Sequence, residues 1–354
     1  VENKSKRCGY WYLKREDIYC GGDKMMRKSL IFLIFILQSL LFGEDKREYP
    51  CYLMSEKPIL DGKEEKAWEN IPEATGFFIL GGQKYALEKQ TYFKCGWRDE
   101  GIYIFVKCEE PAPDRITASL KDGDELFRED SVEFFFFPKD APNYLHFVVN
   151  AIGSRWNEVG STLQPSFPWN WQAKAFIGKD FWSVELAIPF DVLGRKPKDG
   201  EKWLINVARN INTGPAIEHF TCWPPLRGSF HEVQNFAFIT FNWREISVKE
   251  RKEIEEKLNA PFYGFLKGKV DSLWEELKKN APNYEDAISY GLRSERLKGE
   301  ATYIKEAWDK LQNLVEKKSP TLHELRSFIS KHPDMLQRLK EFNYKVLIEK
   351  LFGN

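Results

Sequence analysis

Between about residues 49 and 243 the apolar side chains come in short runs, several alternating with polar ones, and Gly or Pro closes nearly every run. That texture predicts β-strands. Gln90–Trp97 and Ile102–Cys108 flank Arg98, Asp99, Glu100 and Gly101 as a hairpin, and Ser131–Phe137 and Tyr144–Asn150 flank Pro138, Asp140, Pro142 and Asn143 as a second. Trp171–Ile177, Phe181–Ile188, Trp203–Asn210 and Asn235–Phe241 read as further strands, and Pro189 ends one of them because it has no N–H to donate. Strands at this spacing with no long helix between them imply a mainly β fold, an antiparallel two-sheet β-sandwich over about residues 50–242.

The pattern changes after Trp243. Apolar residues now recur at three and four, Lys and Glu rise, and helices are predicted over Ser247–Leu258, Val270–Lys279, Tyr284–Leu297, Ala301–Glu316, Thr321–Ser330 and Asp334–Phe352. Pro261, Pro282, Pro320 and Pro333 punctuate them, and Ser319-Pro320 and Pro333-Asp334 read as helix starts. Residues 243–354 thus form an all-α C-terminal domain with 22 basic and 19 acidic side chains. Charges so mixed offer no membrane or nucleic-acid face, although a protein partner for this region is allowed.

Upstream, Arg27 and Lys28 precede the apolar run from Ser29 to Phe42, in which Gln38 is the one strongly polar residue. A basic start and a short apolar stretch describe a secretory signal over 25–43, with cleavage after Gly43 or, as the alternative, retention as an uncleaved anchor. Its apolar run reaches only about 21 Å as a helix, against a hydrocarbon layer of roughly 30 Å. The chain is therefore expected to be exported, periplasmic or extracellular, and free of the membrane once the signal is cleaved. Residues 1–24 show no periodicity and are expected to be disordered or a start-site artefact. Cys51, Cys95, Cys108 and Cys222 remain after cleavage, as two disulfides or four buried thiols, and no CxxC spacing points to a zinc site.

Composition narrows the function. With 53 basic and 53 acidic residues the chain has no net field to hold a polyanion, so nucleic acid is not an expected partner. The 27 Phe, 14 Tyr and 12 Trp supply much flat apolar surface, while five His leave little acid–base chemistry, a balance that favours binding over catalysis. Trp68, Trp171, Trp182 and Trp203 fall in amphipathic segments and are expected in the core; Trp156, Trp169 and Trp223 stand beside loop signals and are expected at the surface.

Five separated motifs, ILDGKEEKAW (Ile59–Trp68), WRDEGIYIFV (Trp97–Val106), FREDSVEFF (Phe127–Phe135), WSVELAIPF (Trp182–Phe190) and SFHEVQNFAFITF (Ser229–Phe241), together resemble the family 9 carbohydrate-binding module. They occur in that family's order. The resemblance implies a sandwich of two antiparallel sheets that grips a poly- or oligosaccharide chain end between two aromatic rings. Carried over, it places the rings at Phe127 and Phe230 and the carboxylate that accepts sugar hydroxyls at Glu133. The family arginine on the next strand falls near Val148, which donates nothing. Arg209 is read either as its replacement or as an ion pair with Asp130 or Glu133, and His146 as a hydroxyl partner or a satisfied strand residue. Trp223 is the expected auxiliary stacking residue. Some members hold structural calcium, for which Asp61 and Asp99 stand in suitable turns; no other cofactor is implied.

No GxSxG, HExxH, P-loop or dinucleotide fingerprint is present, so no enzyme is expected. Two other functions stay open. One is a structural or interaction module that keeps the sandwich without sugar binding; the other is an accessory or catalytic part of a glycoside-hydrolase system, with Asp130 and Glu133 imitating a carboxylate pair roughly 5–10 Å apart.

Overall fold

A computed structural model describes residues 46–352 except 167–169 and 214–218, so the signal segment, the residues before it and Trp169 lie outside the described part. Residues 46–352 form one compact unit. Its thirteen strands are β1 (Glu48–Leu53), β2 (Glu73–Ala74), β3 (Phe78–Ile79), β4 (Thr91–Arg98), β5 (Gly101–Glu109), β6 (Ser131–Phe137), β7 (Leu145–Asn150), β8 (Arg155–Val159), β9 (Gln172–Ile177), β10 (Phe181–Pro189), β11 (Lys202–Asn210), β12 (Phe220–Cys222) and β13 (Ala237–Asn242). They are hydrogen-bonded in the order β8-β7-β6-β11-β13-β1-β4-β5-β10-β9, with β12 beside β11 and β3, and β2 beside β4.

The sheet is mixed, which corrects the expected purely antiparallel sandwich. β1 runs parallel to both β13 and β4, and thereby joins what would have been two sheets. Pro50 in its middle argues against a central strand. It is tolerated because pairing with β4 begins only at Tyr52, beyond the proline. Alternation then sorts each strand. Val132, Phe134 and Phe136 of β6 enter one core with Ile102, Ile104 and Val106 of β5 and Val184, Leu186 and Ile188 of β10, so the two ends of the hydrogen-bonded path face each other across shared hydrocarbon. The Phe147 and Trp171 rings meet there at 5.2 Å.

The first and fourth motifs hold this arrangement. Glu185 of β10 is buried, and its carboxylate accepts from the Trp68 indole at 2.8 Å and from the Asp61 and Gly62 amides at 2.9 Å each. Gly62 has φ +83°, and a Cβ there would sit 2.6 Å from the Ala175 carbonyl carbon. Asp61 caps the same turn by accepting from the Lys63 amide, and Asp99 pairs with Lys196. Cys51, Cys95, Cys108 and Cys222 are all buried free thiols, with the first two sulfurs 3.8 Å apart.

Five helices follow: α1 (Val248–Lys278), α2 (Ala281–Gly291), α3 (Lys298–Glu316), α4 (Leu322–Lys331) and α5 (Met335–Phe352). Capping boxes at Ser247/Glu250 and Thr321/Glu324 start α1 and α4. The expected break at Pro261 does not occur. α1 runs through it, because buried Phe262, Leu266, Val270 and Leu277 offset a local cost of about 3 kcal/mol. None of the helices among the described residues is long and apolar enough to cross a membrane.

The helices are docked on the strands. The Tyr85 ring meets Phe262 and Phe265 in tilted contacts at 4.8 Å each, Asn259 accepts from the Thr75 amide at 3.0 Å and donates to the Glu73 carbonyl at 2.9 Å, and Arg326 pairs with Glu109. At this junction burial raises the Glu73 carboxyl to about 7, with Lys94 opposing and Glu64 and Glu255 adding to the rise.

Two outcomes follow from these contacts. Gly62→Ala should destabilise the protein by roughly 2–4 kcal/mol in denaturant melts, since strain and clash coincide there; a loss under half that would show that the turn relaxes. Glu73 keeps its proton to higher pH when folded than unfolded, so its contribution to stability is lost as pH rises from 4.5 to about 7. Glu73→Gln should gain on wild type through that window by on the order of 1–3 kcal/mol, with no change in the difference below it. A pH-independent difference in paired melts would count against the buried carboxyl.

Candidate functional site

The outer face of the β11-β6-β7-β8 sheet carries the polar residues that the core face excludes. Pairing lays them in rows. Asn206, Phe135, His146 and Glu158 face one another across the four strands, and Ala208, Glu133, Val148 and Trp156 form the next row. His146 is buried between two carboxylates: its Nε2 lies 2.6 Å from Glu133 Oε2 and its Nδ1 3.0 Å from Glu158 Oε1. The imidazole stacks on the Phe135 ring at 4.0 Å. Burial pulls the His146 pKa down, but hydrogen bonds to Glu133 and Glu158 outweigh it and hold the ring above its ordinary value. Burial likewise raises the Glu158 carboxyl, yet His146 and the Leu163 and Thr162 donors bring it below the usual range.

Loops complete the walls. Leu126 packs into Val148 and Trp156 and places Phe127, whose ring meets Trp156 edge-on at 5.8 Å. On another wall Glu232 accepts from the Arg227 and Ser229 amides at 3.0 Å, organising the turn that presents Phe230 and His231. The Phe230 carbonyl accepts from Asn206 Nδ2 at 3.0 Å, and its ring meets Phe220 at 6.1 Å. Glu158 Oε2 ties down the third loop through the Thr162 and Leu163 amides at 2.7 and 2.6 Å. The result is a pocket of about 270 Å³ with Phe127, Glu133, His146 and Phe230 in its lining. Leu163 and Phe220, 60% and 50% exposed, stand at its mouth.

Two of the expected site residues lie elsewhere. Arg209 is opposite Val132, so it points to the core face, where its guanidinium covers the Trp182 ring, donates to the Glu109 carbonyl at 2.9 Å and lies 3.7 Å from Glu110. Neither Asp130 nor Glu133 is its ion partner. The neighbouring Asn210 faces the pocket instead and donates to Glu133 Oε1 at 2.6 Å. Trp223 is fully buried against Tyr49 and Phe93, with its indole bonded to the Thr75 carbonyl at 3.2 Å. Trp156 too is buried rather than at the surface, although it lines the pocket. Asp130 accepts from the Thr117 and Asn212 amides and is absent from the lining, so it forms no pair with Glu133 across it.

Glu158, Trp156, Asn210 and His231 were not anticipated. Trp156 and Glu158 alternate in RWNEV, a signal for one strand face, and His231 adjoins Phe230 within the fifth motif. His231 is half-buried, its Nδ1 is 2.6 Å from the Tyr144 hydroxyl, and burial and the nearby His146 lower its pKa.

Three solved structures are similar to part of this chain. A Bacteroides uniformis protein with a provisional carbohydrate-binding assignment shares 16% identity at TM-score 0.47, over 56% of this chain and all of its own. A family 9 carbohydrate-binding module from Caldicellulosiruptor kristjanssonii with cellotriose shares 18% at TM-score 0.44, over 56% and 95%, and one from that organism with glucose shares 19% at 0.43, over 56% and 98%. No family model and no curated protein matches the chain. Similarity at this level assigns no ligand.

Because Glu158 alone anchors two loop amides, Glu158→Ala should raise hydrogen exchange at Thr162 and Leu163 by about tenfold or more, the worth of one bond to a charged acceptor. Unaltered protection at both amides would remove Glu158 as the anchor of that wall.

Proposed function

We propose that this is an exported, non-catalytic carbohydrate-binding protein that holds a sugar chain end in the pocket lined by Phe127, Glu133 and Phe230. One observation carries the reading: side chains about a hundred residues apart in sequence, named by the motif resemblance, line a single pocket. The chemistry suits a pyranose. Axial C–H groups form an apolar patch that rests on an aromatic face, and Phe127 and Phe220 offer such faces without the larger area of Trp, while Phe230 lines the pocket but is only 7% exposed. Stacking is accordingly weak, and affinity modest.

Polar recognition falls to the floor. Each oxygen of Glu133 accepts one bond, from Asn210 and His146, so the carboxylate retains about two lone-pair sites for hydroxyl donors. Glu158 Oε2 already accepts from Thr162 and Leu163 and has less to give. A pocket of about 270 Å³ is at the lower end of small-molecule sites and suits a terminal residue rather than a long glycan. The signal-like segment at 25–43 supports export.

Calorimetry with oligosaccharides tests the assignment. Phe127→Ala and Phe230→Ala should each weaken binding by about tenfold or more, and Glu133→Gln similarly; the unfolding midpoint should be little changed for Phe127→Ala, whereas loss of the buried Phe230 ring should also cost about 3–5 kcal/mol of stability. Trp156 touches Phe127, so its fluorescence should shift on binding. Retention of wild-type affinity in both Phe variants would overturn the site.

A further inference from the structure

We propose that the floor of the pocket binds a divalent transition metal, Zn²⁺ in the first instance, through His146, Glu158 and His231. Their ligand atoms all lie within 4.8 Å of one another, and two of the three residues are buried. The set contains no cysteine. Imidazole nitrogens and a carboxylate oxygen are nonetheless ordinary zinc donors, and three protein ligands leave a fourth tetrahedral position for water.

Several features of the cluster are compatible with a metal. The 3.0 Å between His146 Nδ1 and Glu158 Oε1 is close to the roughly 3–3.5 Å separating two donors that share one zinc at bond lengths near 2.0–2.2 Å. Each histidine has its other nitrogen held by an oxygen partner: His146 Nε2 by Glu133 at 2.6 Å, and His231 Nδ1 by the Tyr144 hydroxyl at 2.6 Å. Such outer contacts fix the ring that a metal then uses. His231 Nε2 is left without a hydrogen-bond partner among the described residues.

Charge points the same way. Glu133 and Glu158 bring two buried carboxylates to the pocket, and no Lys or Arg is among the described residues that line it. A divalent ion held by His146, Glu158 and His231 would balance the two carboxylates. The inference does not depend on sugar binding, and either can fail while the other stands.

The test uses the full chain, stripped with a chelator and then titrated with Zn²⁺ against a chromophoric zinc indicator at pH 7.5. Wild type should take up one equivalent in competition with the indicator and unfold at higher temperature with Zn²⁺ than without. His231→Ala should weaken uptake by at least about tenfold and lose the thermal shift, the scale expected when a metal site is damaged. His323→Ala, on the exposed side of α4, should match wild type. His231→Gln, able to bond Tyr144, should behave like His231→Ala and guards against a folding defect in the smaller variant. No uptake by wild type, or uptake that both His231 variants leave unchanged, would overturn the site.

Discussion

The buried line Glu133–His146–Glu158 is the constraint around which the pocket is organised. Charges taken out of water cost several kcal/mol each unless paired and hydrogen-bonded. Here one imidazole spans two carboxylates on flanking strands, and Asn210, Thr162 and Leu163 supply further donors. Every member is therefore tied to a particular cross-strand neighbour. A one-residue slip of β6 would carry Glu133 into the hydrocarbon core and bring Phe134 or Val132 out, so the polar line and the apolar core enforce the same register from opposite faces.

The same strands carry a second buried charge group on the other face. Arg209 lies beside Glu110, whose carboxylate also accepts from Lys89 at 2.8 and 2.9 Å and from Thr213 at 2.6 Å. The chemistry of the two groups is similar; their surroundings are not. Arg209 is sealed under Trp182. Glu133 and His146 lie under loops that leave a gap, and that gap, more than the residue types, makes one group a candidate site and the other a cross-link.

Much of this was legible in the sequence. The alternation in SVEFFFF separated Glu133 from Val132 correctly, and Phe127, Glu133 and Phe230, carried over from the family resemblance, all line one pocket. β1 was not legible, because Pro50 masks the strand and a parallel partner nearly two hundred residues away leaves no local pattern. Arg209 was misplaced for a related reason. Which face of β11 meets the pocket is set by its register with β6, and LINVARN alone does not encode that register. The misreading of Trp223 came from its neighbours: the chain does bend at Pro224, but the indole before it is buried. Pro261 misled in the opposite sense, since a local break signal was overridden by the packing of residues beyond it.

The helical region stands apart from the pocket, none of whose described lining residues comes from α1–α5. Its tie to the strands is nevertheless specific. Arg326 of α4 pairs with the Glu109 side chain, and the carbonyl of that same residue accepts from Arg209, whose strand also carries Asn210 on its other face. Contact thus runs from α4 through the sealed charge group to the donor that orients Glu133. Arg209 Nε and Nη1 and Arg326 Nε on this path have no hydrogen-bond partner among the described residues, so it is a path of direct contacts with a single observed arrangement, which transmits position rather than a signal. The helices therefore contribute to the site by bracing the end of β5, and a role in contacting another protein would belong to their own surface.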